Sequence, residues 1–140
     1  MDAKTITIDT LVKSHAENVW NAYTDSKHIV NWNFASNDWQ CPKVENNLKV
    51  GGTYFARMEA KDGSFGFDFK AVYDEIILHK KIAYTLEDGR KVSTLFEPIN
   101  NTIKVTTTFE AENQNPTDMQ KAGWQAILNN FKNYTERKFK

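Results

Sequence analysis

The sequence has one cysteine, no long apolar run and no basic start followed by an apolar stretch. Cys41 alone makes neither an internal disulfide nor a cysteine-rich metal site, which fits a reducing compartment. No apolar run approaches the roughly 20 residues that a membrane span needs, so we expect no integral membrane span. Residues 1–5 lack the pattern of a secretory signal. A cytoplasmic location is therefore the expectation.

An excess of charge of one sign is also missing. Lys and Arg total 18, against 18 Asp and Glu, so no basic field attracts phosphate backbones and we expect no nucleic-acid partner. There are no internal repeats and no linker, and 140 residues suffice to close a single core. The prediction is one domain over residues 1–140.

Recognisable constellations for catalysis or metal binding are missing as well. His15, His28 and His79 show no metal-ligand spacing, and no Gly-x-Ser-x-Gly motif occurs. Cys41 has no identifiable base, and Gly51 with Gly52 precedes a strand rather than a phosphate-binding helix. We therefore expect no metal and no cofactor, name no catalytic residue, and leave open whether the protein is an enzyme.

What the sequence does have is many aromatic residues: 4 Trp, 5 Tyr and 9 Phe, or 13% of the chain. Alternating apolar residues predict an opening strand over residues 5–13. Ser14 and Glu17 have the spacing of a capping box, which predicts the start of a short helix. A second short helix is expected after Asp25 or Ser26. A loop that contains Phe34 and Trp39 is expected to follow it, with the richest loop composition over residues 36–47.

The middle of the chain reads as an antiparallel meander whose turns set its register. A turn at residues 62–63 pairs Met58 with Phe67 and places Arg57 opposite Asp68, where opposite charges support the pairing. A three-residue loop with a bulge at residues 88–89 is expected to pair Leu86 with Val92, Tyr84 with Thr94 and Ile82 with Phe96. A turn at residues 100–101 then pairs Phe96 with Val105 and Thr94 with Thr107.

A helical period replaces the strand pattern near the end of the chain. Asn115 is the expected cap, Pro116 suits the first helical position, and the helix is expected over residues 116–137. Its apolar stripe consists of Trp124, Ile127, Leu128, Phe131 and Tyr134. The concave aromatic face of a curved sheet needs a cover, and only this helix is long enough. The predicted fold class is therefore α+β.

Motifs in this order resemble those of a known family. They are residues 19–25 (VWNAYTD), Trp32, residues 50–54 (VGGTY), residues 61–69 (KDGSFGFDF) and residues 122–128 (AGWQAIL). Together they resemble the bacterial proteins grouped with the activator of the heat-shock protein 90 ATPase, within the START-related superfamily of the birch-pollen allergen and polyketide cyclases. The resemblance implies a helix-grip fold, in which a curved antiparallel sheet wraps a long C-terminal helix and leaves a cavity.

The candidate binding residues are large side chains on the inward parity of the strands and on the helix stripe. A filled core is the alternative interpretation for each of them. Tyr54, Tyr73, Tyr84 and Thr107 supply inward hydroxyls that either orient a ligand or make structural hydrogen bonds. The predicted ligand-binding residues are Trp32, Phe34, Trp39, Tyr54, Met58, Phe67, Phe69, Tyr84, Trp124 and Leu128.

Three functional hypotheses follow. The first is a protein that binds a small apolar ligand, lipid-like or polyketide-like, between sheet and helix. The second is a cyclase or hydrolase in which Tyr54, Tyr84 or a histidine moves protons for such a ligand. The third, implied by the family's name, is a module that contacts a chaperone partner, and it predicts an exposed apolar patch. From the 140 residues given, we do not expect the separate N-terminal domain of the eukaryotic co-chaperone.

Overall fold

The structure, a computed structural model, describes residues 4–139. Residues 1–3, which carry part of the expectation about a secretory signal, and Lys140 lie outside this range. The helices are α1 (Ala16–Thr24), α2 (Ser26–Ile29) and α3 (Thr117–Lys138). The strands are β1 (Thr5–Val12), β2 (Trp39–Asn46), β3 (Thr53–Ala60), β4 (Gly66–Ile77), β5 (Lys81–Leu86), β6 (Lys91–Ile99) and β7 (Thr102–Glu110).

All seven strands form one antiparallel sheet in the order β1-β7-β6-β5-β4-β3-β2. The sheet curls, and α3 packs against β1 and α1 on its concave side. Fully buried side chains alternate with half-buried ones along β3, β5 and β7, because successive residues of a strand point to opposite faces. The α+β helix-grip architecture is confirmed. Within residues 4–139, no helix has the length and apolar content of a membrane span.

The register of the β3–β4 hairpin is confirmed. Met58 pairs with Phe67, and Arg57 pairs with Asp68, whose Oδ1 lies 3.1 Å from Arg57 Nη1. Gly66 makes room for this arginine, since a Cβ at that position would lie 2.5 Å from Arg57 Nη2. The hairpin therefore brings the inward residues of β3 and β4 side by side on the concave face.

The register predicted for the β5–β6 hairpin is wrong by two residues. Tyr84 pairs with Val92 and Ile82 with Thr94, rather than with Thr94 and Phe96. The reason is that the loop closes early: Gly89 adopts a φ of 93°, and the Leu86 N–H donates to the Arg90 carbonyl at 2.8 Å. Leu86 therefore meets Arg90 and not Val92. A shift of two residues keeps the same side chains on the concave face.

The next hairpin, β6–β7, has the predicted pairs of Phe96 with Val105 and Thr94 with Thr107. Asn100 and Asn101 have φ angles of 46° and 67°, which suit a tight two-residue turn. The register of this hairpin fixes which residues of β7 face α3.

One predicted loop is a strand. Residues 36–47 were expected to be irregular, but residues 39–46 form edge strand β2, paired with β3. The pairing is interrupted between Gln40 and Lys43, where Pro42 has no N–H to donate. A proline inside the segment is unusual for a strand, so the sequence of residues 39–46 does not have a clear strand pattern.

The helix starts differ from the predicted caps. The capping box is wrong: α1 begins at Ala16 after an extended His15, and the Oγ of Ser14 is buried without a hydrogen-bond partner among the described residues. Asp25 does cap α2, accepting from the Lys27 N–H at 2.9 Å. Asn115 does not cap α3, because Pro116 takes the cap position and the Asn115 side chain donates to Glu112 instead.

Candidate functional site

A cavity of about 340 Å³ lies between the concave face of the sheet and the N-terminal half of α3. Its volume falls within the range of small-molecule sites, about 300–1,000 Å³. The strands contribute alternate residues, and α3 contributes Gln120, Trp124, Ile127 and Leu128, because these spacings keep side chains on one face. Eight of the ten predicted residues line the cavity: Trp32, Tyr54, Met58, Phe67, Phe69, Tyr84, Trp124 and Leu128.

The other two predicted residues, Phe34 and Trp39, do not line the cavity. Phe34 contributes its backbone carbonyl to α3, accepting from Asn130 Nδ2 at 2.6 Å. Trp39 starts β2 and packs against Phe65 and Phe67, with ring centroids 5.9 and 6.2 Å away. Both were assigned to the site from a segment expected to be a loop, where strand parity gave no guidance.

Aromatic rings surround the cavity without closing it. The ring of Phe69 lies 6.0 Å from Tyr54, 6.2 Å from Tyr84 and 6.3 Å from Trp124, centroid to centroid, and nearly perpendicular to both tyrosines. Trp124 is held from the sheet side by Phe109, which stacks on it at 4.0 Å. The rings are therefore fixed by contacts behind them and present apolar surface to the cavity.

Two of the four predicted inward hydroxyls make structural hydrogen bonds. Thr107 Oγ1 lies 3.0 Å from Thr94 Oγ1, and the Tyr73 hydroxyl donates to Asn46 Oδ1 at 2.6 Å. The hydroxyls of Tyr54 and Tyr84 have no hydrogen-bond partner among residues 4–139, although both rings line the cavity. These two hydroxyls are free to meet a ligand.

Burial widens the pH range over which these tyrosines are neutral. It raises the pKa of the Tyr54 hydroxyl and that of the Tyr84 hydroxyl well above the ordinary value, because the phenolate would lose its hydration. Neighbouring tyrosines act in the same direction. Both groups therefore stay neutral at physiological pH and can donate a hydrogen bond.

A polar end of the cavity comes from loops that no sequence signal assigned to the site. Arg90 follows the β5–β6 turn and donates through Nε to Asp88 at 2.7 Å. Gln120 fastens the segment before α3, accepting from the Glu112 N–H at 3.0 Å and donating to the Asn115 carbonyl at 2.7 Å. Only the register of the hairpins and the start of α3 bring these residues together.

Residues that could perform acid–base or metal chemistry have other contacts. His28 Nδ1 lies 2.6 Å from the Tyr134 hydroxyl, and the His79 ring packs edge-on against Trp20 at 5.9 Å. Burial raises the pKa of the Cys41 thiol, which lies 3.6 Å from Asn33 Nδ2. Among residues 4–139, no three His, Cys, Asp or Glu side chains group as a metal site would require.

Comparisons with known proteins agree with the geometry. The family model described as "Activator of Hsp90 ATPase homolog 1-like protein" matches residues 13–136. The solution structure of an AHSA1-like protein from Aeromonas hydrophila is 37% identical, with a TM-score of 0.90 over 96% of this chain and 94% of that chain.

Two further structures extend the comparison. A Cytophaga hutchinsonii protein is 43% identical, with a TM-score of 0.83 over 96% of this chain and 93% of that one. The Aha1 dimer from Colwellia psychrerythraea is 18% identical, with a TM-score of 0.75 over 95% of this chain and 96% of that chain, and supports the fold alone. No curated protein gives a significant match.

Proposed function

The chain belongs to the Activator of Hsp90 ATPase homolog 1-like family of the START-related superfamily, and we propose that it binds a small hydrophobic or aromatic ligand in the cavity beneath α3. The observation that carries the proposal is the cavity of about 340 Å³, ringed by Tyr54, Phe69, Tyr84 and Trp124 and holding unpaired hydroxyls. Apolar walls with a few polar groups are typical of small-molecule sites.

Energetics sets the expected affinity. A ligand that buries about 200 Å² of apolar surface gains on the order of 5 kcal/mol before the costs of ordering. That gain alone corresponds to a dissociation constant of about 0.2 mM, and hydrogen bonds to groups in the wall add to it. A lipid-like or polyketide-like molecule has both the apolar surface and the oxygen atoms that this site accommodates.

The test is a titration with N-phenyl-1-naphthylamine, an uncharged aromatic probe whose fluorescence rises in apolar surroundings. The wild-type chain is expected to bind it saturably, with a dissociation constant of about 0.2 mM or below. Ile127→Trp places a larger side chain into the cavity from α3 and is expected to remove saturable binding. Absence of saturable binding to the wild-type chain contradicts the proposal.

The control for that variant is Ala122→Trp on the same helix. Ala122 is exposed and does not line the cavity, so this variant adds the same side chain without filling the site. It is expected to bind the probe as the wild-type chain does. Equal loss of binding in both variants shows that the effect comes from the helix and not from the cavity.

A surface feature favours contact with a chaperone as a second candidate. Trp39, Phe65 and Phe67 form an aromatic cluster on the β3–β4 hairpin and β2, and Phe65 is 62% exposed. Exposed apolar clusters of this kind are typical of interaction sites. This candidate predicts that the chain stimulates ATP hydrolysis by purified Hsp90 and that Phe65→Ser abolishes the stimulation. An unchanged hydrolysis rate at saturating chain concentration rejects it.

A further inference from the structure

We propose that the hydroxyls of Tyr54 and Tyr84 form a donor pair that selects ligands with an uncharged carbonyl oxygen on a flat apolar body. This inference deepens the proposed function and rests on it. The two rings lie parallel, 5° apart in orientation, with centroids separated by 6.1 Å. They come from β3 and β5, which flank β4 in the sheet.

The backbone register explains how the pair is built. Tyr54 pairs with Ala71 of β4, and Ala71 in turn pairs with Leu86 of β5, two residues from Tyr84. Ala71 is buried and contributes only a methyl group between the two strands. A larger residue there would separate the rings or fill the space that they border.

The hydrogen bonds of the site single out these two hydroxyls. Tyr73 and Thr107 also face the cavity, but their hydroxyls bond to Asn46 and Thr94. Tyr54 and Tyr84, each 9% exposed, have no partner within residues 4–139. Neither hydroxyl has to give up a protein partner, so each can donate to a ligand acceptor placed beside it, and that hydrogen bond adds affinity.

The surroundings of the pair determine the charge of the acceptor. Among the described residues of the cavity wall, Arg90 is the one cationic side chain; Asp88 balances its charge in an ion pair of 2.7 Å, and Glu112 adds a carboxylate to the wall. A carboxylate beside the tyrosines would therefore lose its hydration without a compensating cation. Burial also raises the pKa of both tyrosines, so they act as donors and match a carbonyl oxygen.

The aromatic rings next to the tyrosines indicate that the ligand has a flat apolar body. Phe69 stands nearly perpendicular to both tyrosines, at 84° and 83°, and its other neighbour is Trp124. An aromatic ligand that reaches the hydroxyls with its carbonyl would lie against these ring surfaces, where offset and edge contacts between rings are favourable.

The experiment compares two probes of nearly equal shape, 2-acetylnaphthalene and 2-isopropenylnaphthalene. The first has a carbonyl oxygen where the second has a methylene group. Dissociation constants are measured by displacement of N-phenyl-1-naphthylamine. The affinity ratio of ketone to hydrocarbon is expected to fall about threefold to fivefold in Tyr54→Phe and in Tyr84→Phe, and roughly tenfold or more in the double variant. Affinity for the hydrocarbon is expected to be unchanged, which also shows that the variants fold.

Tyr134→Phe is the matched control, since Tyr134 does not line the cavity and its hydroxyl already has a partner, His28 Nδ1 at 2.6 Å. Its affinity ratio is expected to equal that of the wild-type chain. 2-Naphthoate tests the charge, and we expect it to bind the wild-type chain at least about tenfold more weakly than the ketone.

The possible outcomes separate the two proposals. If the hydrocarbon binds and the double variant keeps the wild-type ratio, the donor pair is wrong and the ligand-binding cavity stands. If 2-naphthoate binds as tightly as the ketone, selection for an uncharged oxygen is wrong. If neither naphthalene probe binds the wild-type chain, the proposed function fails together with this inference.

Discussion

The two halves of α3 face the same sheet, yet one half closes a filled core and the other covers a cavity. In the C-terminal half, Phe131 is fully buried, and its ring centroid lies 5.2 Å from Tyr23 and 5.0 Å from Trp32. In the N-terminal half, Trp124 is half-buried and contacts Phe69 edge-on at 6.3 Å, and both rings line the cavity. Rings contact each other along both halves, since Trp124 also stacks on Phe109 at 4.0 Å. The difference is that Phe131 is fully enclosed, whereas Trp124 borders open space.

The difference comes from the size of the side chains that lie beneath each half of α3. Under the N-terminal half, the inward positions of β3 and β4 include Ala56 and Ala71, which are buried but contribute only methyl groups. Under the C-terminal half, α1 and β6 supply Tyr23 and Phe96, which contact each other at 5.4 Å. We therefore expect the C-terminal half to provide most of the stability and the N-terminal half to provide the binding site.

The largest expected effect is at the filled end. Phe131→Ala removes a fully buried ring that contacts Tyr23 and Trp32, and it is expected to lower the free energy of unfolding by about 3–5 kcal/mol. The measurement is urea-induced unfolding followed by tryptophan fluorescence.

The matched variant is Leu128→Ala, one turn away on the same helix and next to the cavity. We expect a loss of about 2 kcal/mol, at the low end for such a change, because one side of Leu128 already lacks packing partners. A larger loss for Leu128→Ala than for Phe131→Ala would reverse the comparison.

A smaller effect is expected where the filled end is tied to β1. Glu136 of α3 accepts from the Lys13 N–H at 2.8 Å and from Lys132 Nζ at 2.6 Å. Burial alone would raise the pKa of Glu136, but these hydrogen bonds and nearby lysine charges lower it overall. Glu136→Gln is expected to cost about 1 kcal/mol at neutral pH.

The pH dependence of that variant gives a second readout. Because the folded state lowers the pKa of Glu136, the stabilisation is complete above the ordinary carboxyl range and is lost as pH falls through the lowered value. The difference between Glu136→Gln and the wild-type chain should therefore vanish in acid. A difference that persists below the lowered pKa contradicts the assignment to the charged form.

The smallest expected effect is a gain in stability at the cavity end. Gly123 lies inside α3, and a Cβ added there would meet no atom within 4 Å. Gly123→Ala is expected to raise the free energy of unfolding by up to about 1 kcal/mol through helix propensity alone. Thermal unfolding measures the change, and a lower melting temperature would show that this side of the helix packs more tightly than described.

Local rules were sufficient to predict most of the fold. The turns at residues 62–63 and 100–101 gave the registers of two hairpins, and Arg57 with Asp68 supported the first one. The helical stripe containing Trp124 and Leu128 predicted which side of α3 faces the sheet. Because parity decides the face of a strand, it also assigned Tyr54, Met58 and Tyr84 to the concave side.

The errors arose where geometry depends on a few hydrogen bonds. The β5–β6 register depends on the Leu86 N–H meeting the Arg90 carbonyl, which spacing alone does not reveal. Strand β2 was missed because Pro42 and the irregular pairing interrupt its pattern. The polar end of the cavity was missed for a related reason. Arg90 and Gln120 are distant in sequence, and only the completed sheet and α3 place both of them in the cavity wall.

The most direct test of the cavity uses the chain's own tryptophans. Titration with 2-acetylnaphthalene is followed through the ¹H–¹⁵N resonances of the indole groups. Trp32 and Trp124 line the cavity, whereas Trp20 packs between His79 and Phe96. We predict saturable shifts for Trp32 and Trp124 and none for Trp20. Unchanged indole resonances for Trp124 at saturating probe, or equal shifts for all three residues, would contradict a binding cavity beneath α3.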